Sequence, residues 1–110
     1  MAGTFEIKKA AGSQFMFNLK AANGEIIFTS ETYAAKAGAS AGIAAVKSNA
    51  PSDSRYERKM STSKQHYFVL KGGNGEPLGR SEMYASASGL ETGIASVKAN
   101  APSALVKDLA

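Results

Sequence analysis

Two stretches decide the fold: Ser30-Glu31-Thr32-Tyr33 leading to Gly42-Ile43-Ala44-Ala45-Val46-Lys47-Ser48-Asn49-Ala50-Pro51, and Ser81-Glu82-Met83-Tyr84 leading to Gly93-Ile94-Ala95-Ser96-Val97-Lys98-Ala99-Asn100-Ala101-Pro102. They are one motif written twice. Phe17 matches Phe68 and Pro51 matches Pro102, a constant offset of 51 that runs without a gap from Phe5/Tyr56 to Ser52/Ser103. About half of the paired positions are identical, the signature of an internal repeat.

Outward from that motif, each copy has the same plan. Thr4 to Lys9 alternates, with Phe5 and Ile7 on one side and Glu6 and Lys8 on the other, the period of a half-buried strand. Gln14 to Lys20 is a second strand, with Phe15, Phe17 and Leu19 sharing a face. Asn23-Gly24 predicts a type I′ hairpin turn into a third strand over Ile26 to Thr29. The helix that follows has a weak, Ala- and Gly-rich start. Ala39, Ile43, Val46 and Ala50 form its stripe, Asn49 can take the left-handed cap conformation, and Pro51 forbids continuation.

In the second copy, strands are expected over Arg55 to Lys59 and Gln65 to Lys71, joined by Gly73-Asn74-Gly75-Glu76 to a third over Glu76 to Arg80. Pro77 cannot donate to a ladder, so that strand reads as an edge strand or a short one. Ser88-Gly89-Leu90-Glu91 has the form of a capping box before the stripe Leu90, Ile94, Val97 and Ala101. The tail Ser103 to Asp108 reads as a last strand, so a strand follows each helix. Gly42 and Gly93 interrupt their helices, which points to close approach of the helix backbone to the sheet or to the other helix.

A unit of about 50 residues is near the lower limit for folding alone without staples. The chain has no cysteine, so the two copies are expected to share a core. The expectation is one compact α+β domain over 1–110, with repeat one at 1–53, repeat two at 54–110 and pseudo-two-fold symmetry.

The hairpin Phe-x-Leu-Lys-x-x-Asn-Gly-Glu, at Phe17 to Glu25 and Phe68 to Glu76, together with Ser-Glu-x-Tyr and Gly-Ile-Ala-x-Val-Lys-x-Asn-Ala-Pro, resembles the YegP-like family of bacterial tandem-repeat proteins. The resemblance covers nearly the whole chain. It implies two β-β-β-α-β units in one shared sheet with two helices, their C-terminal strands exchanged between units. It implies no activity, because the family is uncharacterised.

The residues themselves argue against chemistry. His66 is the only histidine and replaces Phe15 of the first copy, so it reads as a boundary residue rather than a general base. Metal binding needs convergent ligands, which one histidine and scattered carboxylates do not supply. Gly72-Gly73-Asn74-Gly75 lies between strands, whereas a phosphate-cradling loop opens onto a helix. No catalytic residue, metal site or cofactor is expected.

Thirteen basic against nine acidic residues give a net charge of +4. No window approaches the ~20 apolar residues of a membrane span, and the start shows no signal-peptide pattern, so a cytoplasmic location is expected. The candidate partner-binding surface is Lys20, Glu31, Tyr33, Lys71, Glu82 and Tyr84, polar or amphipathic in both copies. A structural role competes: the Tyr ring packing under the helix and the Glu binding N–H groups at its N-terminus. The expected function is a non-enzymatic protein-interaction or structural module, self-association included. The alternative is a weak nucleic-acid binder using a basic sheet face with Tyr67, Asn18, Lys20 and Lys71.

Overall fold

The computed structural model describes residues 3–110. Strands β1 (Thr4–Ala10), β2 (Gln14–Lys20) and β3 (Ile26–Ser30) precede helix α1 (Lys36–Asn49). Strands β4 (Tyr56–Met60), β5 (His66–Lys71) and β6 (Pro77–Arg80) precede helix α2 (Ala87–Asn100), and β7 (Leu105–Asp108) ends the chain. All seven strands form one sheet in the order β4-β5-β6-β3-β2-β1-β7. The single strand after α1 is β4, which also opens the second unit, so the sheet has seven strands. The last strand of repeat two crosses to repeat one and pairs parallel with β1, Thr4 opposite Leu105 and Ile7 opposite Asp108.

The two repeats meet where β3 pairs antiparallel with β6, Thr29 opposite Arg80 and Ser30 opposite Gly79. Thr29 and Arg80 are repeat counterparts, so the pseudo-two-fold axis passes between them. Both helices lie on one face. Their stripes Ala39, Ile43, Val46 and Ala50, and Leu90, Ile94, Val97 and Ala101, join Phe5, Phe17, Leu19, Phe28, Tyr56, Phe68 and Leu70 in one buried cluster. Phe5 meets Phe17 edge-on at 5.7 Å between centroids, and Tyr56 meets Phe68 in the same way at 5.3 Å. The alternation in the sequence dictates this: one strand face is apolar and must be covered, the other is polar and is not.

Local details correct several sequence expectations. At Asn23-Gly24 only the glycine has positive φ (+86°), which excludes type I′. Ala21 N–H donates to Glu25 O and Gly24 N–H to Ala21 O, a type I turn followed by a left-handed glycine, and the β2–β3 register slips by one at Leu19/Lys20. Gly75 repeats this at +84°.

β6 is short, as Pro77 suggests, yet it lies in the sheet interior rather than at an edge. Pro77 is its first residue and sits opposite Lys71 at a register slip, outside the pairing with β3, so no ladder bond needs its missing N–H.

Helix α2 is capped by Ser86, whose hydroxyl accepts from Gly89 N–H, and not by Ser88. Glu91 pairs with Arg58 on β4 instead of reaching back. Asn49 is not left-handed. It stays helical and its amide donates to Ala45 O at 2.8 Å, as Asn100 does to Ser96 O.

Candidate functional site

The face of the sheet opposite the helices is uncovered. Strand registers align one row across all seven strands: Lys107, Glu6, Asn18, Thr29, Arg80, Val69 and Glu57. Flanking positions on the same side carry Lys8, Lys20, Lys59, Lys71, Met16, Tyr67 and Leu105. At its strand positions that face holds six cations (Lys8, Lys20, Lys59, Lys71, Arg80 and Lys107) and two carboxylates (Glu6 and Glu57), and Glu31, just after β3, lines its concavity beside Lys71 and Arg80. The rest of the chain then keeps seven basic and six acidic residues, so most of the excess of +4 belongs to this face.

The charges are organised by the repeat. Glu6 is nearly buried and receives Lys20 at 3.2 Å and Lys8 at 3.7 Å. Glu57 receives Lys71 at 3.0 Å and Lys59 at 3.7 Å. The lysine bonded to each carboxyl holds it below the ordinary glutamate range: Lys20 at Glu6 and Lys71 at Glu57. Each cluster therefore keeps one uncompensated positive charge. Arg80 adds a third near the symmetry axis and Lys107 a fourth beside Glu6. Asn18 is buried within the row and donates to Thr29 Oγ1 at 3.0 Å.

Five of the six candidate residues line two cross-repeat concavities, and Tyr33 does not. Lys20 of repeat one lines a groove of about 870 Å³ with Glu82 and Tyr84 of repeat two. Lys71 of repeat two lines a concavity of about 430 Å³ with Glu31 of repeat one, Glu57, Tyr67 and Arg80. Tyr33 stacks on Phe17, ring centroids 6.3 Å apart and nearly parallel.

Both motif tyrosines do pack under their helices. A Cβ on Gly42 would meet Tyr33 Oη and lie 2.8 Å from its Cζ; on Gly93 it would meet Tyr84 Oη and lie 2.6 Å from its Cζ. The mid-helix glycines make room for these rings, not for sheet backbone. Tyr33 and Tyr84 also pair through their backbone with Phe15 and His66, each N–H···O 2.7 Å. Burial, then the neighbouring carboxylate of Glu31 or Glu82, raises both phenols above their ordinary pKa.

The glutamates do not cap the helices. Residue Ala35 precedes α1 with no side-chain cap, and Glu31 and Glu82 are exposed. The connection is fixed by the serines before them. Phe17 N–H donates to Ser30 Oγ at 2.8 Å, and Ser30 Oγ donates to Glu31 O at 2.7 Å. Phe68, Ser81 and Glu82 repeat this at 3.0 and 2.8 Å.

Sequence reasoning missed these two serines, and it missed Glu6, Glu57 and Arg80 as parts of the open face. The signal was present for the serines and glutamates, which are identical in both repeats. Arg80 carried none, since its counterpart is Thr29.

The family described as Domain of unknown function (DUF1508) matches the chain twice, over residues 10–57 and 61–108. The chain belongs to the DUF1508 family. Its relatives within DUF1508 include the UPF0339 protein YegP of Escherichia coli O157:H7, 56% identical over 108 residues and covering 98% of each chain. The solution NMR structure of yegP from E. coli, described as a protein of unknown function, superposes with a TM-score of 0.93 at 53% identity, covering 99% of this chain and 94% of that one. UPF0339 protein SO3888 of Shewanella oneidensis gives 0.92 at 42% identity, over 99% and 92%. The DUF1508 repeat, the α+β fold and the bacterial relatives agree with the resemblance read from the two motifs. These relatives are uncharacterised and name no activity. Among the described residues, no helix is long and apolar enough to cross a membrane.

Proposed function

We propose that this protein is a non-enzymatic interaction module of the bacterial cytoplasm, docking an acidic protein surface on the uncovered face of its sheet. One observation carries this reading: most of the net positive charge of the chain lies on that face, arranged in two repeat-related clusters around a central Arg80. A face that must be covered would be apolar, and one serving solubility alone would have no reason to gather most of the excess.

The choice of an acidic protein over nucleic acid rests on what lies between the charges. Met16, Val69 and Leu105 interrupt the cations, which suits a partner offering carboxylates with apolar contacts. Tyr67 is the one aromatic ring on the strand positions of that face, whereas sequence-tolerant single-strand binding uses several stacking rings.

The test is titration of a labelled poly-glutamate peptide and of a labelled DNA duplex against the protein and its Arg80→Glu/Lys107→Glu variant, at two salt concentrations. Peptide binding that the variant loses supports the reading. Neutralising four duplex phosphates would give a log–log salt slope of about −3.6. A duplex preference with such a slope replaces the protein partner by nucleic acid. Peptide binding that the variant leaves unchanged refutes the face.

A further inference from the structure

The two ends of the sheet are built differently. At one end β4 exposes Glu57, Arg58 and Lys59 in succession. Arg58 is tied to Glu91 Oε2 at 2.6 Å and to Asp53 Oδ1 at 3.1 Å. Charged residues at an edge are the usual defence against strand addition.

The other end, β7, also carries charge, Lys107 and Asp108, but half of its four residues are exposed apolar ones, whereas β4 has one, Met60. Of the six exposed large apolar side chains among the described residues, three fall within five positions: Leu105 (73% exposed), Val106 (50%) and Leu109 (57%).

The backbone of β7 shows which groups are free. Leu105 N–H donates to Gly3 O and Leu109 N–H to Ile7 O, so residues 105, 107 and 109 turn their backbone groups toward β1. Alternate residues of a strand point these groups to opposite sides. Val106 and Asp108 therefore present N–H and C=O outward, in the plane of the sheet, with no strand beyond them among the described residues.

We infer that β7 is a self-association edge, pairing antiparallel with β7 of a second copy about a two-fold axis at Val106. In this register Val106 faces its own counterpart as a hydrogen-bonded pair, exchanging both N–H···O bonds. Leu105 lies opposite the second copy's Lys107, where the lysine stem covers an exposed leucine and its charge stays beside Glu6. Ala104 lies opposite the second copy's Asp108, which keeps its 3.0 Å ion pair with Lys36. Moving the axis to Lys107 would set two lysines directly opposite each other, and moving it to Asp108 would oppose two carboxylates; both are disfavoured. Self-complementarity of one short segment is what a two-fold interface requires. It selects a second copy over an unrelated peptide.

The axis is perpendicular to the sheet, so both helix layers fall on one side. The two uncovered basic faces become one continuous surface on the other side.

Sedimentation equilibrium from micromolar to millimolar protein, combined with amide exchange at the same concentrations, tests this. The expected result is a mass rising toward that of a dimer, with exchange of the Val106 amide slowing over the same range, while the Leu105 amide is protected throughout. Val106→Pro removes only the outward N–H and is expected to stay monomeric with unchanged circular dichroism. Should that variant fail to fold, the exchange measurement on the unaltered protein still decides. A monomer at millimolar concentration, or a dimer in which Val106 exchanges at a rate independent of concentration, overturns the inference.

Discussion

Replacing Ser30 by alanine should be among the more damaging single-atom changes in this chain. The Ser30 hydroxyl joins two chain segments, accepting from Phe17 N–H at 2.8 Å and donating to Glu31 O at 2.7 Å. Phe17 is fully buried, and no water can replace the lost acceptor without opening the core. A buried donor left without a partner costs about 1–3 kcal/mol, and the second bond contributes roughly 0.5–1.5 kcal/mol. A loss of about 2–3 kcal/mol is expected, which for a domain of this size lowers Tm by about 10 °C or more.

The duplication supplies a replicate: Ser81→Ala removes the equivalent bonds at Phe68 and Glu82 and should cost a similar amount. The two share no partner, so the double variant should be additive to within about 0.5 kcal/mol. Urea unfolding followed by circular dichroism measures each value. A loss below about 0.5 kcal/mol for Ser30→Ala at unchanged m-value would refute the bridging role and return the motif to its Glu and Tyr.

Other outcomes follow from the same geometry. Gly93→Ala should destabilise by about 1–2 kcal/mol, because crowding against the Tyr84 ring (about 2–3 kcal/mol, the upper part of the usual overpacking range) exceeds the gain of roughly 1 kcal/mol in helix propensity, whereas at Gly89 the nearest atoms to an added Cβ are at 3.4 Å and alanine should fit; thermal melts of the pair give the opposite signs. Gly75→Ala, at φ +84°, should cost about 1–2 kcal/mol in chemical unfolding, while Lys64→Gly should stabilise by relieving the same left-handed conformation at +63°. Glu6 and Glu57 titrate below the ordinary glutamate value, so the stability they contribute is complete above about pH 4.5 and falls as pH drops through their folded-state pKa; Glu6→Gln/Glu57→Gln should flatten that acid limb in a pH series of melts. Burial, with Asp53 nearby, pushes the Tyr56 phenol well above 10.0, and its hydroxyl donates to Ala50 O at 2.8 Å; stability from this group is intact below pH 10 and lost above it, and Tyr56→Phe should remove that alkaline loss.

The repeat made much of this fold legible. A gapless register doubled every signal: the β2 strand has its expected bounds of Gln14 and Lys20, and both helical stripes are buried where the 3.6-residue period puts them. What stayed hidden depends on long-range pairing. Pro77 argued for an edge because its own segment does not reveal that β3 joins β6 only at Gly79 and Arg80. Two serines compete to cap α2. Ser86 does so because Tyr84 is pinned to His66, leaving Ser86 extended at the helix start.

The open face was only half visible for the same reason. Lys20 and Lys71 stood out, but their partners Glu6 and Glu57 lie on other strands.

The distribution of charge has one more consequence. Seven cations and six anions nearly balance on the rest of the molecule, so the protein behaves as a plate charged mainly on one side, with a permanent electric moment along the sheet normal. It will arrive at an anionic surface already oriented, sheet face first. A cation-exchange resin should retain it longer than a protein of the same net charge spread evenly, and Arg80→Glu should shorten that retention more than Lys47→Glu on the helix side.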